Sequence, residues 1–231
     1  MRQSLHSIFY FFSVLVFSLL LATSCDKEED DPNENGKDDG TPKDVKNPAT
    51  GETWLDRNLG ADAVASSSND SEAYGDLYQW GRAADGHQKR GSQTSNSQSN
   101  TPDPGHGDFI IGYNNWYTGP DPGELWEQDG SGINNPCPDG YRIPTRAEWE
   151  EEISSWDTED IHGAMDSPLK LPASGLRFHN DGSLYGVDAN GFYWSSNIAG
   201  TSSYRMTFDS TSTNISNTPR AHGAAVRCIK N

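Results

Sequence analysis

Rings, rather than aliphatic side chains, have to build whatever this chain folds into. It holds seven Trp, nine Tyr and eight Phe, and all seven Trp lie between residues 54 and 194. The aliphatic supply is lopsided, because 15 hydrophobic residues fall in residues 1–24 of a chain that is only 32% hydrophobic. A core beyond residue 24 therefore rests on side chains that bury about 150–250 Å² each. With 23 Gly and 13 Pro in addition, the composition argues against an all-helical bundle. Its 231 residues leave room for one domain, or two small ones. A net charge of −17 argues against a nucleic-acid partner, which calls for a basic footprint.

Residues 1–24 read as an export leader. Arg2 is the only charged residue before Asp26, and an apolar run follows from Ile8 to Leu21, broken by Ser13 and Ser18. At about 14 residues the run is too short to cross a bilayer, which takes about 20, but it suits a signal-peptide core. Leu21-Ala22-Thr23-Ser24-Cys25 resembles the lipobox of bacterial lipoproteins, which makes Cys25 the expected lipid-attachment residue. Residues 25–44 then read as a disordered tether. Between residues 26 and 44 stand nine acids, three Lys and no large apolar side chain, too little to offset chain entropy. The acidic stretch after Cys25 resembles the surface-export signal of Bacteroidota lipoproteins. That implies an outer-membrane lipoprotein facing outward, the alternative being a periplasm-facing anchor. Without Arg2 and the tether's −6, the total of −17 becomes −12 for residues 45–231. Such a domain is repelled by an anionic membrane, so the lipid is its only expected membrane contact.

With Cys25 assigned to lipid, Cys137 and Cys228 remain as an even pair in an oxidising compartment. A bridge between them would close a loop worth about 4–5 kcal/mol by the chain-entropy estimate. Two buried thiols are the alternative; a metal site needs more ligands than two Cys.

Along residues 45–231 the expected class is α+β, with short, mostly antiparallel strands, one or two helices and long loops. Residues 43–60 read as a hairpin around Asn47-Pro48-Ala49-Thr50-Gly51, and Ala73–Trp80 as a short compact element. Residues 88–107 and 112–136 read as two long loops, where ordinary connections have about 4–6 residues. Thr145 and Glu148 form a capping box opening a helix whose apolar face is Trp149, Ile153 and Trp156. From Lys170 onward the pattern is β. Leu176–Phe178 and Ser183–Val187 flank an Asn180-Asp181-Gly182 turn, and Phe192-Tyr193-Trp194 is strand material. Tyr204, Met206 and Phe208 alternate with Arg205 and Thr207 as a strand buried on one face should. Ala224, Val226 and Cys228 alternate likewise with Ala225, Arg227 and Ile229.

Six phrases, in this order, resemble the Fibrobacter succinogenes major paralogous domain of exported Bacteroidota proteins. They are Trp54–Gly60, Tyr74–Arg82, Cys137–Thr145, Glu148-Trp149, Tyr193–Ser196 and Val226-Arg227-Cys228. The resemblance spans roughly residues 45–231 and implies a C-type-lectin-like fold, with Cys137 and Cys228 as a structural pair. Arg142–Glu150 also resembles the helix-opening phrase of formylglycine-generating-type domains, but no cysteines remain for that chemistry.

Little else points to catalysis, and no catalytic residue or cofactor is expected. Ser195-Ser196 lacks a G-x-S-x-G elbow, and His87, His106, His162, His179 and His222 show no ligand spacing. Asp121, Glu124, Glu127 and Asp129 match no calcium-loop template, so no metal is expected. For binding, Trp116, Tyr117 and Trp126 lie in a polar segment where their faces either stack on a glycan or anchor a protein, or else fold inward as satellite core. Arg82 and His87, with Lys89 and Arg90, form a basic cluster suited to a carboxylate or sulfate, or paired with neighbouring acids. The expected function is a surface-displayed, non-catalytic recognition module for glycan or envelope protein, with a scaffold subunit as the alternative.

Overall fold

A turn signal sets the first two strands. Residues 40–231 are described in the computed structural model; the leader, Cys25 and the tether through residue 39 lie outside the described residues. β1 (Asp44–Lys46) and β2 (Thr53–Leu55) pair antiparallel, with Asp44 opposite Leu55. Between them the Gly51 N–H donates to the Asn47 carbonyl at 2.8 Å, and Asn47 Oδ1 accepts the Ala49 N–H at 2.9 Å. Asp44 is thus a sheet residue that accepts from Lys230. The expected tether boundary at residue 44 falls too late in the chain by at least one residue.

Beyond β2 regular structure is sparse. Residues 56–140 carry three two-residue strands, β3 (Tyr78–Gln79), β4 (Thr94–Ser95) and β5 (Phe109–Ile110), and two single turns of 3₁₀ helix. β4 and β5 pair in parallel, a feature the loop reading of residues 88–107 does not contain.

Regular elements return with β6 (Tyr141–Arg142) and α1 (Arg146–Ser154). The capping box forms as expected: Thr145 Oγ1 accepts the Glu148 N–H at 3.2 Å and Glu148 Oε2 accepts the Thr145 N–H at 2.6 Å. α2 (Ile161–Asp166), capped by Asp160, is too short for a periodic signal and was not placed by sequence. β7 (Leu176–Arg177) and β8 (Leu184–Tyr185) form the expected hairpin. Gly182 turns it at φ +75°, where a Cβ would stand 2.7 Å from the Thr94 methyl. β9 (Gly191–Ala199), β10 (Ser202–Phe208) and β11 (Thr213–Pro219) follow as an antiparallel meander, and β12 (Gly223–Ala224) and β13 (Ile229–Lys230) end the chain. The sheets run β1-β2-β13-β6, β3-β12-β7-β8 and β11-β10-β9, beside the β4-β5 pair. This is an α+β fold of short, mostly antiparallel strands.

Two alternation readings need correction. In β10, Arg205 and Ser203 are buried along with Met206 and Phe208, while Tyr204 is half-buried. The register to β9 shifts between Ser203 and Arg205, which displaces Tyr204, and both faces of this sheet are covered. At the C-terminus no single one-sided strand forms, because every residue from 221 to 229 is buried. The segment runs between two cores: Ala225 and Ile229 pack in one, and Ala224, Val226 and Cys228 in the other.

The first core gathers Trp54, Trp149, Trp156, Tyr193 and Phe208, and the second Trp80, Trp126, Phe192 and Trp194. Their rings meet at tilted or edge-on geometries with centroids 4.9 to 6.3 Å apart, the range in which aromatic pairs attract beyond their area burial. A disulfide joins Cys137 to Cys228 across a separation of 91 residues, with Cα atoms 5.9 Å apart. It ties the end of the irregular stretch to the second core.

Candidate functional site

The five residues offered by sequence as ligand contacts are all interior. Trp116, Tyr117 and Trp126 are buried, which corrects the stacking-platform reading in favour of satellite core. Trp116 packs with Tyr117, Ile110, Leu125 and Ala221 in a third cluster. Each polar tip is held: Trp116 Nε1 donates to the Trp80 carbonyl at 2.7 Å, Tyr117 Oη to the Pro120 carbonyl at 3.0 Å and Trp126 Nε1 to the Asn134 carbonyl at 2.9 Å.

Arg82 and His87 are brought together, but inside the fold. Arg82 donates to Asp85 at 2.7 Å, to Gln79 Oε1 at 2.9 Å and to the carbonyls of His106 and Asp108 at 2.7 and 2.9 Å. Asp85 also meets His87 Nδ1 at 2.7 Å, and His87 Nε2 accepts the Gln79 N–H at 3.0 Å. A backbone N–H can only donate, so the ring is neutral with its proton on Nδ1. Burial drives the pKa of His87 down to about 4. Arg82 and His87 are thus engaged within the fold by Asp85, Gln79 and two carbonyls, which corrects the ligand-contact reading in favour of pairing with a neighbouring acid. Lys89 is exposed and pairs with Asp76, and Arg90 donates to the carbonyls of Gly75 and Ser174.

Three other residues weighed for chemistry are also committed. Ser195 and Ser196 are buried, their hydroxyls donating to the carbonyls of Tyr204 and Pro144. Asp129 turns back onto Ser131. Among the described residues no three His, Cys, Asp or Glu side chains converge as a metal site, and no helix is long and apolar enough to cross a membrane.

A different region has polar groups to offer, where the β7–β8 hairpin lies over β9 and β10. Leu184 and Tyr185, on edge strand β8, are 46% and 52% exposed. The Tyr185 ring meets Phe178 at 5.2 Å and Phe192 at 6.4 Å, and Phe178 in turn meets His222 at 5.5 Å. His222 lies edge-on to His179 at 4.4 Å. The Arg205 guanidinium lies 4.5 Å from the same Phe192 ring centre.

Here hydrogen-bond partners run out. Arg205 Nε and Nη1, Thr207 Oγ1 and His222 Nδ1 are buried with no partner among the described residues. Arg205 and Thr207 are two apart on β10 and so share a face, and Phe192 stands directly opposite Thr207. Burial brings the pKa of Arg205 down to about 10, and burial, with the nearby Arg205 and His179, brings that of His222 down to about 3. Sequence reasoning placed Arg205 and Thr207 in solvent. The usable signal was Phe192-Tyr193-Trp194: large rings on both faces of one strand mean that both faces of its neighbour are covered.

No protein-family model, curated protein or solved structure matches the chain.

Proposed function

We propose that the chain is a lipid-anchored recognition module on the cell surface, binding glycan or protein without catalysing a reaction. The leader, the Cys25 lipobox and the acidic tether support the anchor and its outward display. A ring-rich core with two helices, long irregular stretches and the Cys137–Cys228 bridge supports membership of the Fibrobacter succinogenes paralogous domains and a C-type-lectin-like arrangement. The observation that carries the binding role is the exposed Leu184–Tyr185 rim next to the unpartnered atoms of Arg205, Thr207 and His222. Exposed rings beside unanswered polar groups are the parts from which binding hot spots are made. Of the groups weighed as catalytic, His87, Ser195 and Ser196 are tied into the interior, which supports a binding role over chemistry at those three.

The test is a glycan array together with an envelope-protein pull-down, using the full-length chain in a neutral detergent. Saturable retention of a glycan or an envelope protein, lost in Tyr185→Ala, is the expected result. No retention on either, or retention indifferent to Tyr185, overturns it. For the anchor, mass spectrometry should find Cys25 lipidated and the leader gone.

One observation favours a scaffold role as the second reading. β11 is an edge strand of seven residues, long enough to accept a strand from a neighbouring protein. Assembly that survives Tyr185→Ala but fails with a proline at Ser216 would select it.

A further inference from the structure

Among the described residues, the buried arginines close off carbonyl groups, with one exception. Arg57, Arg82, Arg177, Arg220 and Arg227 are buried, and each donates to at least two backbone carbonyls. Arg205 is also largely buried, 9% exposed against 0–4% for those five, yet its Nε and Nη1 donate to nothing among the described residues. Guanidinium N–H groups buried without an acceptor cost free energy. The guanidinium carbon of Arg205 nonetheless lies 4.5 Å from the Phe192 ring centre, a cation–π contact. A group that is costly to bury, held in place and left unanswered is built for a ligand rather than for stability.

We propose that Arg205, Thr207 and His222 bind the carboxylate and an adjacent hydroxyl of an acidic saccharide, next to the rim formed by Tyr185. The assignment rests on the recognition reading and names its ligand class. The guanidinium supplies the charge-assisted donors that a carboxylate takes. Thr207 Oγ1 adds a hydroxyl two residues along the same strand face. His222 Nδ1 is buried without a partner and can meet a ligand hydroxyl. Free donors and a free ring nitrogen in one place call for a molecule that is both acid and alcohol. The half-exposed Tyr185 ring, against Phe178 and Phe192, offers a face for a sugar ring. The −12 of residues 45–231 disfavours polyanions and leaves a single carboxylate as the better match.

Calorimetric titration of the full-length chain in neutral detergent tests this, with galacturonate, galactose and acetate as probes. Galacturonate should bind saturably and the other two about tenfold more weakly or less, since each lacks one half of the match. Arg205→Met should weaken galacturonate by about tenfold or more while the protein still unfolds cooperatively. Should that variant not fold, Thr207→Val decides, with weaker binding expected. No saturable galacturonate binding, acetate as tight as galacturonate, or binding unchanged in the variant overturns the assignment. Retention of neutral glycans alone on the array would remove this ligand class but leave the recognition reading. Arg205-dependent galacturonate binding with a blank array and pull-down would keep the site and remove that reading.

Discussion

Residues 56–140 and residues 141–231 solve the same problem by different means. Buried backbone N–H and C=O groups must be paired. In the later region strands pair them: β10 alone matches β11 over seven residues and β9 over six. In the earlier region side chains take over. Asn58 Nδ2 donates to the Tyr74 carbonyl, Gln79 Nε2 to those of Ile110 and Ala221, Arg82 to those of His106 and Asp108, and Asn134 to those of Gly81 and Pro102. Indoles do the same between regions, with Trp116 reaching the Trp80 carbonyl and Trp80 that of Ser195. A ladder shares its load over many bonds, whereas one guanidinium answers several carbonyls at once. The irregular region should therefore be brittle at single positions, as should Arg177, Arg220 and Arg227 in the later one, while the strand ladders themselves are tolerant.

Breaking the irregular region at its anchors has the largest expected effects. Replacing Cys137 and Cys228 by Ser should lower stability by about 4–5 kcal/mol if the chain-entropy account holds, read from urea unfolding with and without reductant. Arg82→Met leaves two carbonyls, Gln79 Oε1 and Asp85 without their donor. It should cost about 3–5 kcal/mol, the range for removing one partner of a buried ionic network. Acid gives a sharper cut. The pKa of His87 is about 4 in the fold, below its ordinary 6.5. Between those values the unfolded chain binds the extra proton, so this stability is complete above about pH 6.5 and is lost as pH falls toward 4. The loss is on the order of 3 kcal/mol, and His87→Gln should flatten the slope of the urea midpoint across that window.

Local signals were legible and long-range partners were not. The Thr145–Glu148 box, the Asn180-Asp181-Gly182 turn and the Cys137–Cys228 pair could be read because each carries its physics within a few residues or in a parity count. Trp116 and Trp126 could not be settled. A tryptophan in a polar segment reads alike whether it faces out or in, and the Trp80 carbonyl that holds Trp116 is 36 residues away. Arg82 and His87 read as a surface cluster because the His106 and Asp108 carbonyls that hold Arg82 and the Gln79 N–H that holds His87 carry no sequence signal; only Asp85 does. Arg205 was misplaced for a different reason: period-two alternation identifies a covered face but cannot report that the other face is covered too.

The regular region should be more forgiving. Thr145→Ala removes one cap bond from α1 and is expected to cost about 1 kcal/mol, measurable as a shift in the urea midpoint. Even in the irregular region a position outside the carbonyl network should be forgiving: Lys89→Met, at an exposed ion pair with Asp76, should change stability by about 1 kcal/mol or less. Smallest of all should be the change at the arginine that closes nothing.

Urea midpoints of Arg82→Met and Arg205→Met, measured side by side on the ligand-free protein, put the account to its most direct test. Arg82→Met should fall by about 3–5 kcal/mol while Arg205→Met stays within about 1 kcal/mol of the parent or rises above it, since a methionine removes an uncompensated buried charge. An Arg205→Met midpoint that drops as far as that of Arg82→Met would contradict the account.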